Sequence, residues 1–303
     1  MEQAGAGPHL WLETEMRRLD LDGATLFALT DAAPAPAASN YAFPEADFAA
    51  HPELTARWFP DDTFHTRFGV FALLCLDGRI IMVDAGLGPG PDPYFNGLGG
   101  RLPEEFEAAG LDPNAVSLVV FSHFHLDHVG WALDETGAPR FSHARYLAPA
   151  AEIAHWQAQG EEAALPHHVA AYRRSIAPII ESRRLEAAEA GLPIFSSGTI
   201  TASLLPAPGH TAGHHAILIE GAGRPVLIAG DSWHNPAQIA VPDWCHRADR
   251  DQGLARQSRS ALAERAAKTG AIVAAGHFIE SEAFGRIAED EATGALAYQP
   301  LHG

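Results

Sequence analysis

The stretch that decides the reading is "SLVVFSHFHLDHVGW", Ser117 to Trp131. An apolar, β-branched run suited to a buried strand stops at Phe121, and four potential ligands follow: His123, His125, Asp127 and His128. Imidazole and carboxylate are the donors that zinc and similar divalent ions take, and each ion needs at least three of them from the protein. A loop leaving a strand can turn back on itself. Alternate histidines can then serve one ion while the aspartate and the last histidine serve a second.

One cluster supplies four donors, and two ions want more. Three further positions repeat the arrangement of a donor beside a small residue at the end of an apolar run: His210 in "APGHTAG", Asp231 in "LIAGDSW" and His277 in "AAGHF". The glycines let the backbone turn sharply or approach closely. Any one of these histidines taken alone is more often a surface or core residue than a ligand. The recurrence at four strand ends is what points to a metal site.

Working outward, the chain of 303 residues is long enough for a large core, and 47% hydrophobic residues is ordinary for a globular protein. Lys and Arg number 20 against 38 Asp and Glu, a net charge of −18, which repels phosphate backbones and argues against a nucleic-acid partner. A small-molecule substrate is not excluded. Two cysteines cannot build a disulfide framework, and Cys75 reads as a buried strand residue. The N-terminus lacks a basic segment followed by an apolar one, and no apolar run approaches the ~18 residues of a membrane span, so the expected location is cytoplasmic, with no membrane partner.

Strands are expected at 23–30, 64–76 and 79–88, the last two joined at Asp77-Gly78 as a hairpin. "LPEEFEAAGL" (102–111) has helical spacing and a closing glycine, and "QGLARQSRSALAERAAKTG" reads as a helix ending at Gly270. Strand signals return in "ITASLLPAPG", "HHAILIEG", "RPVLIAGD" and "AIVAAGH", so the chain suggests two similar halves, each with strands, a ligand-bearing loop and helices. Residues 131–190 are Ala-, Glu- and Arg-rich and read as helical, with His155, His167 and His168 solvated and one of His214 and His215 facing a core. The Pro-rich 31–62 segment is a candidate to cover part of a site or to mediate a homodimer. Trp131, Trp233, Phe124, Phe278, Trp58 and Phe59 are candidates for an apolar pocket wall, with ordinary core packing an equally ready account.

The set "HFHLDH", "PGHT", "GD" and "GHF", in that order and preceded by "VDAGLG", resembles the metallo-β-lactamase superfamily over roughly residues 64 to 280. The resemblance implies an α/β fold, a four-layer αββα sandwich. The whole chain, 1–303, would form a single domain with an N-terminal extension at about 1–62 and a helical insert at about 131–190. It implies two divalent metal ions, zinc first, with iron, manganese or cobalt as alternatives. One ion falls to His123, His125 and His210, the other to Asp127, His128 and His277, with Asp231 bridging and Asp84 in a supporting role. A hydroxide held between two such ions can attack an electrophilic carbon or phosphorus.

Departures within the superfamily narrow the substrate. A carboxylate at Asp231 argues against a dedicated β-lactamase, and no C-terminal basic cluster of the glutathione-gripping sort is present. "LPEEFEAAGLDPNAVSLVVFSHFHLDHVGW" and "AGDSWHNPAQIAVPDW" resemble the acyl-homoserine lactonase and methyl-parathion hydrolase branch. Those lactonases carry a substrate-contacting tyrosine three residues after the bridging aspartate, where this chain has His234. The expectation is a metal-dependent hydrolase of lactones or carboxylic esters, with Asp127, Asp231 and His234 as its catalytic residues. The rivals are a phosphotriesterase on the same site, a mononuclear-iron oxidoreductase similar to the persulfide dioxygenases, and a binding protein that merely retains the site.

Overall fold

A computed structural model of the chain describes residues 17–160, 165–291 and 294–301. The first sixteen residues of the expected N-terminal extension, positions 161–164 of the expected insert, and positions 292–293 and 302–303 lie outside the described residues.

Two seven-stranded sheets face each other. The first has the order β1-β2-β5-β6-β7-β8-β9, with β1 Arg17–Leu21, β2 Ala24–Ala32, β5 Phe68–Cys75, β6 Ile80–Val83, β7 Val116–Val120, β8 Arg145–Pro149 and β9 Leu185–Ala188. The second runs β10 to β16 in sequence order: Pro193–Ser197, Ile200–Pro206, His215–Glu220, Val226–Ile228, Ile272–Ala274, Phe284–Glu289 and Leu296–Pro300. A two-stranded ribbon, β3 Ala37–Ala38 with β4 Thr63–Phe64, closes the N-terminal segment.

The period of two along each strand distributes side chains between layers. In β2, Leu26 and Ala28 face the second sheet, while Phe27 and Leu29 face outward under helices. Between the sheets, Phe71, Leu73, Ile81, Val83, Leu118 and Val120 meet Ile200, Leu204, Ile217, Ile219, Ile228 and Phe284. Truncating one such fully buried leucine to alanine costs about 2–5 kcal/mol. The outer face of the first sheet packs on helices Leu102–Ala108, Pro166–Ser175 and Ala177–Glu181. The outer face of the second packs on helix Gln252–Thr269 and on Phe43, Trp58 and Phe59 of the N-terminal segment. The layers are therefore helix, sheet, sheet, helix, as expected. Among the described residues no helix is long and apolar enough to cross a membrane.

Several boundaries differ from the sequence expectation. The expected strand 64–76 splits into β4 and β5, and the expected strand 79–88 ends at Val83, because Asp84 leaves the extended region with φ 67°. The 131–190 stretch is not wholly helical: β8 and β9 lie within it and add the last two strands to the first sheet in parallel pairing. Within the expected N-terminal extension, β1 at Arg17–Leu21 was not foreseen, whereas β2 falls on the strand expected at 23–30. Asp77-Gly78 does turn the β5–β6 hairpin, with Gly78 at φ 80°.

Candidate metal centre

The donors sit where strands end. β6 and β7 run parallel, and the chain leaves β6 at Asp84 and β7 at the His123–His128 loop. In the second sheet β13 and β14 run parallel and end just before Asp231 and His277, while His210 lies in the β11–β12 loop. The facing of the two sheets brings these loops together at one edge.

All seven sequence-predicted donors converge. His123, His125, His210 and Asp231 form one group whose ligand atoms lie within 4.8 Å of one another, and Asp127, His128 and His277 form a second. Asp231 lies between them. Its Oδ2 is 3.1 Å from His210 Nε2 and 2.9 Å from His277 Nε2, and its Oδ1 is 3.1 Å from His128 Nε2. Asp127 Oδ2 is 3.6 Å from both His128 Nε2 and His277 Nε2. All seven residues are buried.

Two observations fit this donor set to divalent cations. His123 Nε2 and His128 Nε2 are buried and have no hydrogen-bond partner among the described residues, a costly state for a polar atom unless something else occupies it. In addition, His125 Nδ1 and His210 Nε2 face each other at 2.8 Å. Burial pushes the His123 and His125 rings well below the ordinary imidazole range, so each presents a lone pair at neutral pH. Burial opposes ionisation of Asp231, but His128, His277, His210 and His123 around it outweigh burial and hold the carboxyl well below its ordinary value.

For four of the five donor histidines, the far side of the ring is held by a partner that fixes its tautomer. His128 Nδ1 donates to Asp84 Oδ2 at 2.8 Å. Ser122 donates its backbone N–H to Asp84 Oδ1 at 2.7 Å and its hydroxyl to Oδ2 at 2.8 Å, and the same hydroxyl accepts from His123 Nδ1 at 3.0 Å. Asp84 thus supports two histidines without facing the centre, and its left-handed backbone is what aims it there. His210 Nδ1 donates to Asp249 Oδ1 at 3.1 Å, and the other oxygen of Asp249 is paired with the buried Arg259. His277 Nδ1 donates to the Arg67 carbonyl at 3.0 Å.

Asp231 is aimed by His214. That ring donates from Nδ1 to the Ala207 carbonyl at 2.9 Å and accepts the Asp231 backbone N–H at Nε2, also at 2.9 Å. Burial pushes its pKa down to about 3, so it stays neutral. Gly230 makes room: it has φ 53°, and a Cβ there would stand 2.4 Å from His214 Nε2. Both His214 and His215 are buried, rather than one of them.

His234 also reaches the centre. Its Nε2 is 3.4 Å from Asp231 Oδ2, its ring stacks on His246 and His277 with centroids 4.0 and 4.9 Å away, and burial lowers its pKa to about 4. A cavity of about 310 Å³ opens onto Asp127, His210, Asp231, His234 and His277. Its walls are Pro34, Ala37, Tyr41, Phe64, Phe68, Tyr94, Phe95, Leu126 and Leu165, so the 31–62 segment does cover the site in part.

Of the two accounts open for the aromatics, core packing holds: Trp131, Trp233, Phe124, Phe278, Trp58 and Phe59 are core residues and do not line the cavity. Another expectation needs correcting. His168, expected to be solvated, is buried; it stacks on His125 at 3.7 Å and its Nδ1 accepts the Leu126 N–H. His167 is half-buried against Tyr94 and His155 half-buried beside Arg250. Glu152, Asp249 and Arg259 were not singled out by sequence. For Glu152 the available signal was an acid four residues before Trp156 in a helical stretch.

The sequence profile of the metallo-beta-lactamase superfamily matches residues 66–277. No curated protein matches the chain. Among solved structures, the fold is similar to the hydrolase AbOPH of the beta lactamase superfamily, with TM-score 0.80 at 20% identity over 95% of this chain and 98% of that one. It is equally similar to AidC, described as a dizinc quorum-quenching lactonase and solved with a product, N-hexanoyl-L-homoserine (TM-score 0.80, 19% identity, 95% and 98% coverage). A probable metal-dependent hydrolase from Staphylococcus aureus follows at TM-score 0.73 and 16% identity, covering 94% and 99%. At such identities the likeness speaks for the fold alone. The profile match, by contrast, spans more than half of the chain and runs from just before β5 to the last of the seven donors, and the chain belongs to the metallo-beta-lactamase superfamily.

Proposed function

We propose that this protein is a metal-dependent hydrolase acting on lactones or carboxylic esters, with two zinc ions held at the seven-donor centre. The observation that carries the reading is the pair of donor groups, joined by Asp231, at the inner end of an apolar cavity. His123, His125 and His210 would hold one ion and Asp127, His128 and His277 the other; an all-nitrogen-and-oxygen set suits zinc. Divalent ions bound there would supply Lewis acidity and bring the pKa of a coordinated water to about 7.

The chain's own residues do the rest. Phe64, Phe68, Phe95, Leu126 and Leu165 receive an apolar acyl portion and exclude water from it. Hydrolysis adds water across the acyl carbon–oxygen bond: one proton of the water must leave as the new bond forms, and the departing alkoxide must gain one. Asp231 Oδ2 and the neutral His234, 3.4 Å apart, are placed to hold that proton between the two events. The described lactonase AidC, with its homoserine product, supports an ester-type substrate by likeness of fold.

The test is metal quantitation joined to a panel of lactones, carboxylic esters and phosphotriesters, with chelator-stripped and reloaded protein. Two ions per chain and a lactone or ester activity that disappears on stripping and returns on reloading are expected. Activity that survives stripping, or a preparation with a single iron and no hydrolysis, overturns the reading.

A further inference from the structure

Glu152 carries a fully buried carboxylate that the mechanism above does not use. It stands on the short helix Ala150–His155, which continues directly from β8. Strand β8 pairs in parallel with β7, Val120 opposite Leu147, so this helix begins beside the loop that β7 delivers. Four donors converge on the carboxylate. Oε1 accepts the Phe124 backbone N–H at 3.1 Å and Trp156 Nε1 at 2.8 Å. Oε2 accepts the Thr211 hydroxyl at 2.7 Å and the Gly213 N–H at 3.1 Å.

The partners fall in an informative place. Phe124 is the residue between His123 and His125, and Thr211 directly follows His210. One carboxylate therefore grips both backbone segments that carry the first donor group. The contact is also close-fitting: a Cβ on Gly213 would stand 2.2 Å from the Glu152 backbone nitrogen. The second group is anchored differently. His128 leans on Asp84, and His277 on the Arg67 carbonyl. Neither support touches Glu152.

We propose that Glu152 is a positioning residue for one metal site only: it sets the spacing between the His123–His125 loop and His210, and so tunes the affinity of the ion those three histidines hold, leaving the ion at Asp127, His128 and His277 largely unaffected. The inference rests on the metal-centre reading above. Asp84 braces both groups, His128 directly and His123 through Ser122, whereas Glu152 touches only the segments of the first; it is through Glu152 that the first site can be weakened on its own. A carboxylate is required because all four contacts are donors. Glutamine keeps the shape but turns an NH₂ group toward two of them.

The experiment uses full-length protein, cobalt(II) chloride as the probe, and graded chelator. Wild type, Glu152→Gln and Thr211→Val are compared for ions retained per chain, for the cobalt absorption spectrum, and for thermal unfolding of the stripped chains. In wild type two ions are expected. In Glu152→Gln one ion is expected to be lost at a chelator concentration about 10–100-fold lower while the other holds. Thr211→Val removes a single donor and is expected to shift the same ion in the same direction by less; it keeps the proposal open to refutation should Glu152→Gln fail to fold. Retention of both ions at wild-type affinity in the folded variants, or parallel loss of both, overturns the role assigned to Glu152. Failure of wild type itself to bind two ions overturns the metal-centre reading, and this proposal with it.

Discussion

Replacing His214 with leucine tests whether the aim of Asp231 is set from behind. Leucine is close to histidine in volume but offers neither a donor nor an acceptor. The substitution strips the Ala207 carbonyl of the Nδ1 donor that reaches it at 2.9 Å and leaves the Asp231 N–H, now held by Nε2 at 2.9 Å, without an acceptor. Both groups are buried. An orphaned buried polar group costs about 1–3 kcal/mol, so two cost roughly 2–6 kcal/mol. At about 2 °C per kcal/mol for a chain of this size, the stripped protein should unfold about 4–12 °C lower by calorimetry. With its backbone freed, Asp231 no longer holds its carboxylate between the two donor groups, and a misplacement of about 1 Å can cost about 10²-fold in turnover. His215→Leu is the control, since that ring contacts the Gly213 carbonyl and leaves Asp231 alone. If His214→Leu melts within a degree or so of wild type and turns over equally fast, the tether between His214 and Asp231 has no consequence and the reasoning fails.

Three further outcomes are expected. His234→Ala should lower kcat about 10²-fold or more with the metal content intact, if the imidazole beside Asp231 Oδ2 handles the proton; an unchanged kcat removes it from the mechanism. Arg259→Met removes the guanidinium from the buried Asp249 carboxylate, leaving it only the His210 ring and the His246 N–H, and should cost about 3–5 kcal/mol in urea denaturation. Burial raises the Glu282 carboxyl from 4.5 to about 7, so the folded chain holds that proton more tightly than the unfolded one. Its contribution is full below pH 4.5 and is lost as pH rises toward 7; Glu282→Gln should flatten that decline by an amount on the order of 1–2 kcal/mol after solvent screening, read from melting temperature against pH.

The donors were legible because each is a local event: an apolar run, a small residue, then a ligand. His123 to His277 could be collected from such pieces without knowing how the pieces meet. Strands β8 and β9 were not legible for the opposite reason. "RYLAP" and "LEAA" hold one strand-favouring residue between them, Tyr146, and their conformation comes from pairing in parallel with β7 and with each other. The same failure hid Glu152 and His168, whose surroundings read as a solvated helical stretch until β8 carries them to the ligand loop. Asp84 was placed correctly in a supporting role through the resemblance, whereas Asp249 and Arg259 depend on a contact between the 246–250 turn and helix Gln252–Thr269 that no motif marks. The pocket walls were not legible, since aromatics beside a ligand in sequence, Phe124 and Phe278 among them, pack into the core, while Phe64 and Phe68 reach the cavity from β4 and β5 and Phe95 from the segment after β6.

Setting aside Asp231, which lies between the two groups, each donor group draws two residues from the first sheet and one from the second: His123 and His125 with His210, and Asp127 and His128 with His277. An ion in either group is thus a rivet through the sandwich. Sliding one sheet over the other by a fraction of an ångström changes the distance between donors of the same ion, with no loop needing to move. The hydrocarbon layer between the sheets, where Leu73, Val120, Ile217 and Ile228 interlock, then acts as the gauge block of the reaction centre. Wear in that layer, far from any ligand, should register first as a looser grip on metal.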